Sequence, residues 1–357
     1  NYNFIKNNGG DIQEGGGIGF DSGVDFSVNI LNIKGHNLRC TGDADLSYNF
    51  YRDNDALYGN TLSTEGFEGS LDMSNSIYDV YNCPEQEVTP VWVDIEEDVE
   101  VDFQYSAGDL CSITEDVWVS PDGDDYLNTG VTPESAFRTI KVALELIAPQ
   151  DDDPVTIFLT EGTFAPSITG ESFPIIMVSN VNLIGRGEEV TILNSDVNQG
   201  GISGKIIMND CNNNIISDLT ITGPYGSGIY LMNSNPILNN LNITSNYSTN
   251  GGGMRVYYSN PILTNVIISN NSAVSSGGGM YLYYSDPILT NVIISNNSIV
   301  NAGTPGAFGG GILVYESNPI VTNSIIWGNS LSSIFIIYGE PVVNYSNIED
   351  LPTGYGN

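Results

Sequence analysis

Apolar residues between 229 and 348 recur in fixed columns around one repeated peptide: Ser234-Asn-Pro-Ile-Leu-Asn-Asn240, Ser259-Asn-Pro-Ile-Leu-Thr-Asn265, Ser285-Asp-Pro-Ile-Leu-Thr-Asn291 and Ser317-Asn-Pro-Ile-Val-Thr-Asn323. The prolines fall at 236, 261, 287 and 319, with a degenerate fifth at 341, so the steps are 25, 26, 32 and 22 residues. A variable step of this size is the mark of a solenoid whose coils carry loop insertions. Seven residues before each proline stand Ile229, Met254, Met280, Ile312 and Ile334, and five before stand Leu231, Val256, Leu282, Val314 and Ile336. After it come Leu238, Leu263, Leu289, Val321 and Val343, then Ile243, Ile268, Ile294, Ile326 and Ile348. Within each strand the alternation has period two, so these columns predict inward-facing ladders. The asparagines Asn240, Asn265, Asn291 and Asn323 are expected to stack as a buried ladder at a bend, each amide bonding the copies above and below. Gly251-Gly-Gly253, Gly277-Gly-Gly279 and Gly309-Gly-Gly311 supply another turn.

Short parallel strands stacked about 4.8 Å apart make a parallel β-helix, which places the chain in the all-β class. One helix is predicted, over 137–148, with apolar residues at 137, 140, 144 and 147 or 148, a start at Pro133 and Ser135, and a stop at Pro149. A helix at the open end of the stack covers the unpaired edge of the first coil, so it reads as a cap. Around it lie Val117-Trp-Val-Ser-Pro-Asp-Gly-Asp-Asp125, Asn128-Thr-Gly130, Pro133-Glu-Ser-Ala-Phe-Arg-Thr-Ile140 and Gly170-Glu-Ser-Phe-Pro174. These stretches resemble the opening segment of bacterial secreted right-handed β-helix proteins of the pectate-lyase-like superfamily. The resemblance spans roughly 117–349 and implies a right-handed coil; that superfamily includes both polysaccharide lyases and large surface proteins.

Residues 1–117 read as the C-terminal part of a preceding β-helix module with its closing segment, and 118–357 as the cap helix and coils of a second, truncated module. Gly15-Gly-Gly-Ile18 matches Gly309-Gly-Gly-Ile312 at an offset of 294, Ile33 matches Ile326 at 293, and Leu46-Ser-Tyr48 matches Val343-Asn-Tyr345 at 297. The chain thus reads as a window cut out of phase from a tandem array. It opens on Asn1 without a methionine, signal peptide or apolar run of membrane-spanning length, which suggests a mature piece or fragment and no membrane insertion.

Charge narrows the partners. The 43 acids and 9 bases give a formal net charge of −34, which disfavours nucleic acid and anionic membranes. The acids are unevenly placed: residues 1–180 carry 33 acids and 6 bases, and 181–357 only 10 and 3. A nearly uncharged stack beneath a highly acidic remainder fits a secreted or cell-surface protein in salty or calcium-rich water. Four cysteines, Cys40, Cys83, Cys111 and Cys211, are too few for a disulfide-dominated scaffold.

The residues between the inward ladders are apolar too. Tyr230, Arg255, Tyr281, Leu313 and Phe335 form one outward column, Met232, Tyr257, Tyr283, Tyr315 and Ile337 a second, and Ile237, Ile262, Ile288, Ile320 and Val342 a third. Adjacent columns of this kind predict a continuous apolar patch that packs against another copy of the chain or another part of the assembly, offers a platform to glycan rings, or lies under a loop such as 299–309 or under residues 1–117. Calcium is the one expected cofactor: Asp122, Asp124 and Asp125, with Asn128, offer hard oxygen ligands in a glycine-containing loop.

Catalysis is poorly supplied. The resemblance implies that a lyase would need a lysine or arginine base near bound calcium, and residues 187–357 contain only Lys205 and Arg255. A glycosidase would need two carboxylates about 5–9.5 Å apart, and Asp218 and Asp286 are candidates by residue type alone. The sole histidine, His36, has no companion ligand. Five Asn-x-Ser/Thr sequons, at Asn242, Asn246, Asn270, Asn296 and Asn344, arise readily in an Asn/Ser-rich repeat. The expectation is a non-enzymatic extracellular rod, stalk or self-associating fibre, joined end to end near Tyr338–Ile348 and laterally through the tyrosine columns. The alternative is a carbohydrate-active β-helix, either a polysaccharide lyase or a glycan-binding adhesin.

Overall fold

The computed structural model describes residues 113–125, 127–147, 149, 153–198, 203–303 and 307–351, together with eight short strands within 1–112. Two units are distinguished, Asn1–Ile113 and Thr114–Asn357. In the first, Asn37–Leu38, Leu62–Thr64 and Val91–Val93 form one parallel sheet, and Thr41–Asp45, Glu68–Asp72 and Val99–Asp102 form another. Phe50–Tyr51 pairs with Ile77–Tyr78 in a third. Their partners lie 26 to 30 residues apart, as in Asn37↔Ser63 and Gly69↔Val99, so each strand pairs with its counterpart one coil later. Gly15–Ile18, Ile33, His36, Leu46–Tyr48, Cys40, Cys83 and Cys111 lie outside the described residues.

The second unit is a parallel β-solenoid. A seven-stranded sheet runs through Ile175–Ile176, Gly204–Asn209, Ser227–Met232, Met254–Tyr257, Met280–Tyr283, Ile312–Tyr315 and Ile334–Tyr338. The sixteen-stranded sheet around the rest of each coil runs from Val117–Val119 to Val342–Asn344. Registers join the same columns that the repeat aligns: Ile229, Met254, Met280, Ile312 and Ile334 in one row, Leu238, Leu263, Leu289, Val321 and Val343 in another. Nearly all of these side chains are fully buried, and they form much of the core. Ile336 and Ile348, in the last coil, are half-buried.

Left-handed residues bend each coil. Asn233, Tyr258, Tyr284 and Glu316 have φ of 49°, 48°, 49° and 48°; Asn240, Asn265, Asn291 and Asn323 have φ of 50°, 55°, 56° and 51°. A third bend follows at Ser245, Asn270, Asn296 and Gly328. Asparagine tolerates this conformation better than most residues, which is why it recurs. The glycine turn requires glycine: a Cβ on Gly253 or Gly279 would stand 2.6 or 2.7 Å from the carbonyl oxygen of Gly279 or Gly311 in the next coil.

The bends decide which asparagines are inside. Asn265, Asn291 and Asn323 are exposed and Asn240 half-buried, contrary to the expected buried ladder, because a residue at a convex bend points outward. They still bond in sequence: Asn265 Nδ2 donates to Asn240 Oδ1 at 3.1 Å and Asn291 Nδ2 to Asn265 Oδ1 at 3.2 Å. The buried ladder is Asn246, Asn271 and Asn297, continued by the half-buried Asn329. Asn271 Nδ2 donates to Ile243 O at 2.8 Å and Asn297 Oδ1 at 3.0 Å, while its Oδ1 accepts from Asn246 N and Nδ2 at 3.0 and 2.9 Å. A buried serine ladder runs beside the proline, where Ser234 N, Ser259 N and Ser285 N donate to the next coil's Ser259, Ser285 and Ser317 Oγ at 3.0, 3.1 and 2.8 Å.

Helix α1 is Ile140–Leu146, shorter than the 137–148 expected. Pro133–Ser135 is a separate 3-10 turn capped by Thr132, and Phe137 makes a parallel bridge to Val119, its N–H donating to Trp118 O at 2.9 Å. That strand-like commitment delays the helix until Thr139, whose hydroxyl accepts from Val142 N. Ile140, Val142, Ala143, Leu146 and Ile147 are buried while Leu144 is half-buried, and α1 packs on Val117–Val119, the first strand of the long sheet.

Candidate functional site

Two flanks of the solenoid carry unusual surface chemistry. On the seven-stranded sheet, the side chains alternating with the core ladders are Tyr230, Arg255, Tyr281, Leu313 and Phe335, and Met232, Tyr257, Tyr283, Tyr315 and Ile337. Strand alternation turns them outward, yet Leu313 is buried and the others are half-buried. They shield one another: ring centroids lie 6.0 Å apart for Tyr230–Tyr257, 5.4 Å for Tyr257–Tyr283 and 5.1 Å for Tyr283–Tyr315. The Arg255 guanidinium sits 5.4 and 4.9 Å from the Tyr230 and Tyr257 ring centroids and donates to the Tyr257 hydroxyl at 3.0 and 2.8 Å. Phe308 stacks on Phe335 at 4.3 Å and so covers part of the flank. Burial raises the Tyr230 and Tyr281 hydroxyls above the usual phenol range.

Besides Tyr338, 61% exposed at the end of the last strand, the exposed rings of this flank are two that the column pattern passed over. Tyr258 and Tyr284 occupy the left-handed bend and stack on each other at 5.5 Å with 10° between planes. The Tyr257-Tyr258 and Tyr283-Tyr284 doublets were the available signal. On the long sheet the outward column is open: Ile237, Ile262, Ile288, Ile320 and Val342 are 38%, 41%, 39%, 39% and 48% exposed. Beyond the Asn bend, Ile293 and Ile325 form a second exposed row with Trp327 nearby.

In the acidic loop the carboxylates take up backbone and hydroxyl donors. Asp125 Oδ1 accepts from Arg138 N and Thr139 N at 2.8 and 3.0 Å, and Oδ2 from Thr139 Oγ1 at 2.9 Å. Asp124 Oδ1 accepts from Leu127 N at 3.0 Å, and Asp122 is exposed. Among the described residues no group of three or more His, Cys, Asp or Glu is placed to hold a metal ion by itself. Asp125 ties the loop to the start of α1.

Asp218 accepts from Asn240 Nδ2 at 2.9 Å and Asp286 from Asn318 Nδ2 at 3.2 Å, so both serve the bend ladders. Among the described residues two buried carboxylate or amine groups remain. Glu171 accepts from Ile140 N at 2.7 Å, and burial pushes its carboxyl up to about 7. Lys205 lies inside a coil, its Nζ donating to Tyr225 O at 2.8 Å and Gly226 O at 3.0 Å, and burial lowers its amine to about 7. Cys211 is a buried free thiol and Asn246 a buried sequon residue. Among the described residues no helix is long and apolar enough to cross a membrane.

Comparison with solved structures returns carbohydrate-active β-helices at low identity. Pectin methylesterase PemA from Erwinia chrysanthemi is 12% identical, with a TM-score of 0.44 over 66% of this chain and 79% of that one. Carrot pectin methylesterase is 10% identical, with a TM-score of 0.43 over 68% and 86%. A double mutant of the periplasmic alginate epimerase AlgG is 11% identical, with a TM-score of 0.30 over 87% and 78%. No curated protein matches the sequence. Residues 175–347 match the family model described as right handed beta helix region, and with all the described strands of the stack paired in parallel, this part of the chain is a right-handed parallel β-helix.

Proposed function

We propose that this chain is part of a non-enzymatic extracellular structural protein, a β-helix array that forms a rod, stalk or self-associating fibre. The observation that carries this reading is the open aliphatic ridge, in which five successive coils present Ile237, Ile262, Ile288, Ile320 and Val342 at one register position. A ridge with one branched side chain per coil, about 4.8 Å apart, meshes with the same ridge on another copy, and burying it removes apolar surface from water. The scarcity of charge in residues 181–357, 10 acids and 3 bases, leaves little repulsion to oppose side-by-side packing. The ridge suits this contact better than the tyrosine columns, whose rings already cover each other.

Ile262→Asp with Ile288→Asp tests the proposal by analytical ultracentrifugation. Concentration-dependent association in the parent and its loss in the double variant, with unchanged far-UV circular dichroism, is the expected result. A parent that stays monomeric at high concentration, or a variant that associates equally well, overturns it. A second reading, a glycan-binding face, draws on the exposed Tyr258 and Tyr284 rings, which offer flat apolar surface to sugar rings. Retention on immobilised polysaccharide that is lost in Tyr258→Ala, together with a monomeric parent, would favour it.

A further inference from the structure

Tyr258, Tyr284 and Tyr345 stand where the backbone favours asparagine, and the first two are neighbours in successive coils. The first bend of successive coils is occupied by Asn233, Tyr258, Tyr284 and Glu316, all at φ of 48° to 49°. A bulky ring there is an outlier in backbone preference, and such outliers mark positions held for a purpose. The position is well determined: Tyr258 N–H donates to Tyr283 O at 3.0 Å and Tyr284 N–H to Tyr315 O at 3.1 Å. The two rings are consequently held parallel, 5.5 Å between centroids and 10° between planes, at 53% and 45% exposure. Around them the phenols are continuous, with Tyr283 5.6 Å from Tyr258 and 4.7 Å from Tyr284, and Tyr315 6.1 Å from Tyr284.

We propose that Tyr258 and Tyr284 are a site of oxidative coupling within one chain, where a one-electron oxidant of the peroxidase class acting with hydrogen peroxide joins the rings as dityrosine. Each phenol gives up one electron and one proton, leaving a tyrosyl radical. The radicals combine through ring carbons ortho to the hydroxyls, and each ring regains aromaticity by moving its ortho hydrogen to oxygen. One carbon–carbon bond forms, two hydrogen atoms leave in total, and one peroxide is reduced to two waters. Radicals formed on neighbouring half-buried tyrosines reach the exposed pair by electron exchange across the ring contacts. The product ties residue 258 to residue 284 in the next coil, closing a loop of about 26 residues in the unfolded chain and so raising the melting temperature. Because both rings belong to one chain, the coupling is independent of self-association.

The test treats dilute chain with peroxidase and hydrogen peroxide, then reads dityrosine fluorescence and, after proteolysis, the mass of joined peptides. Peptides containing Tyr258 and Tyr284, joined with loss of two hydrogens, are expected. Tyr258→Phe and Tyr284→Phe keep the stacked rings and should each lose the signal, whereas Tyr345→Phe, at the 86% exposed tyrosine, should keep it. Absence of dityrosine, coupling that persists in both phenylalanine variants, a Tyr283–Tyr315 link in its place, or links found only between chains would each overturn the proposal.

Discussion

Removing the amide of Asn271 should be among the most damaging single changes in the stack, although it deletes no apolar contact. The side chain is fully buried and makes four hydrogen bonds: Nδ2 to Ile243 O and Asn297 Oδ1, and Oδ1 from Asn246 N and Asn246 Nδ2. Asn271→Ala breaks all four where no bulk water reaches. At about 1 kcal/mol net for each bond the loss is about 4 kcal/mol, and more where a buried donor such as Asn246 N–H is left unmatched. The control is Asn265→Gly, which removes an exposed amide from a bend with φ of 55° and should cost about 1 kcal/mol or less. Urea denaturation followed by far-UV circular dichroism at matched slope separates the two. Asn271→Asp adds a check: its protonated form regains one donor, so it should be least harmful in acid and worsen as pH rises. An Asn271→Ala midpoint no lower than that of Asn265→Gly would refute the reasoning, because it would mean the buried amide ladder contributes nothing beyond the exposed one.

Ile294→Ala should cost about 2–5 kcal/mol by opening a cavity in an inward ladder, whereas Ile293→Ala, 37% exposed, should cost under about 1 kcal/mol in monomeric protein; equal losses would contradict the observed facing of that strand. Lys205 gives a pH signature, since its folded amine has released its proton above about 7 while the unfolded chain holds it until about 10.5. The unfolded state therefore binds more protons in that window, and this lysine makes stability rise with pH between those values. Subtracting the Lys205→Met profile from the parent's should isolate that rise, and parallel profiles would refute it.

The fold was legible because each coil repeats its apolar residues at constant spacing from the proline, and stacked parallel strands place equal positions in one row. Constant spacing from the proline alone aligns Ile229 with Met254, Met280, Ile312 and Ile334. Leu241, Val266 and Val292, buried one residue after the Asn240 column, escape that spacing. A left-handed residue interrupts the two-residue alternation, so the facing of whatever follows a bend cannot be counted across it. The same interruption hid the buried Asn246, Asn271 and Asn297 behind the more conspicuous Asn240, Asn265 and Asn291. Asp122, Asp124 and Asp125 were readable as clustered oxygens, but the N–H groups of Arg138 and Thr139, which take up Asp125, come from a segment brought near only by the chain's return.

The sequence by itself thus determined the coil repeat, its core rows, its lack of charge and the presence of aromatic and aliphatic columns on its flanks, all of which are properties of spacing along the chain. Only the tertiary structure decided that the tyrosines cover one another and share Arg255, that Phe308 comes back over Phe335, that the isoleucine ridge stays bare, and that Lys205 is enclosed with two carbonyl oxygens. Those outcomes depend on the curvature of each bend and on the distance between neighbouring coils, and neither is carried by the alternation of apolar and polar residues.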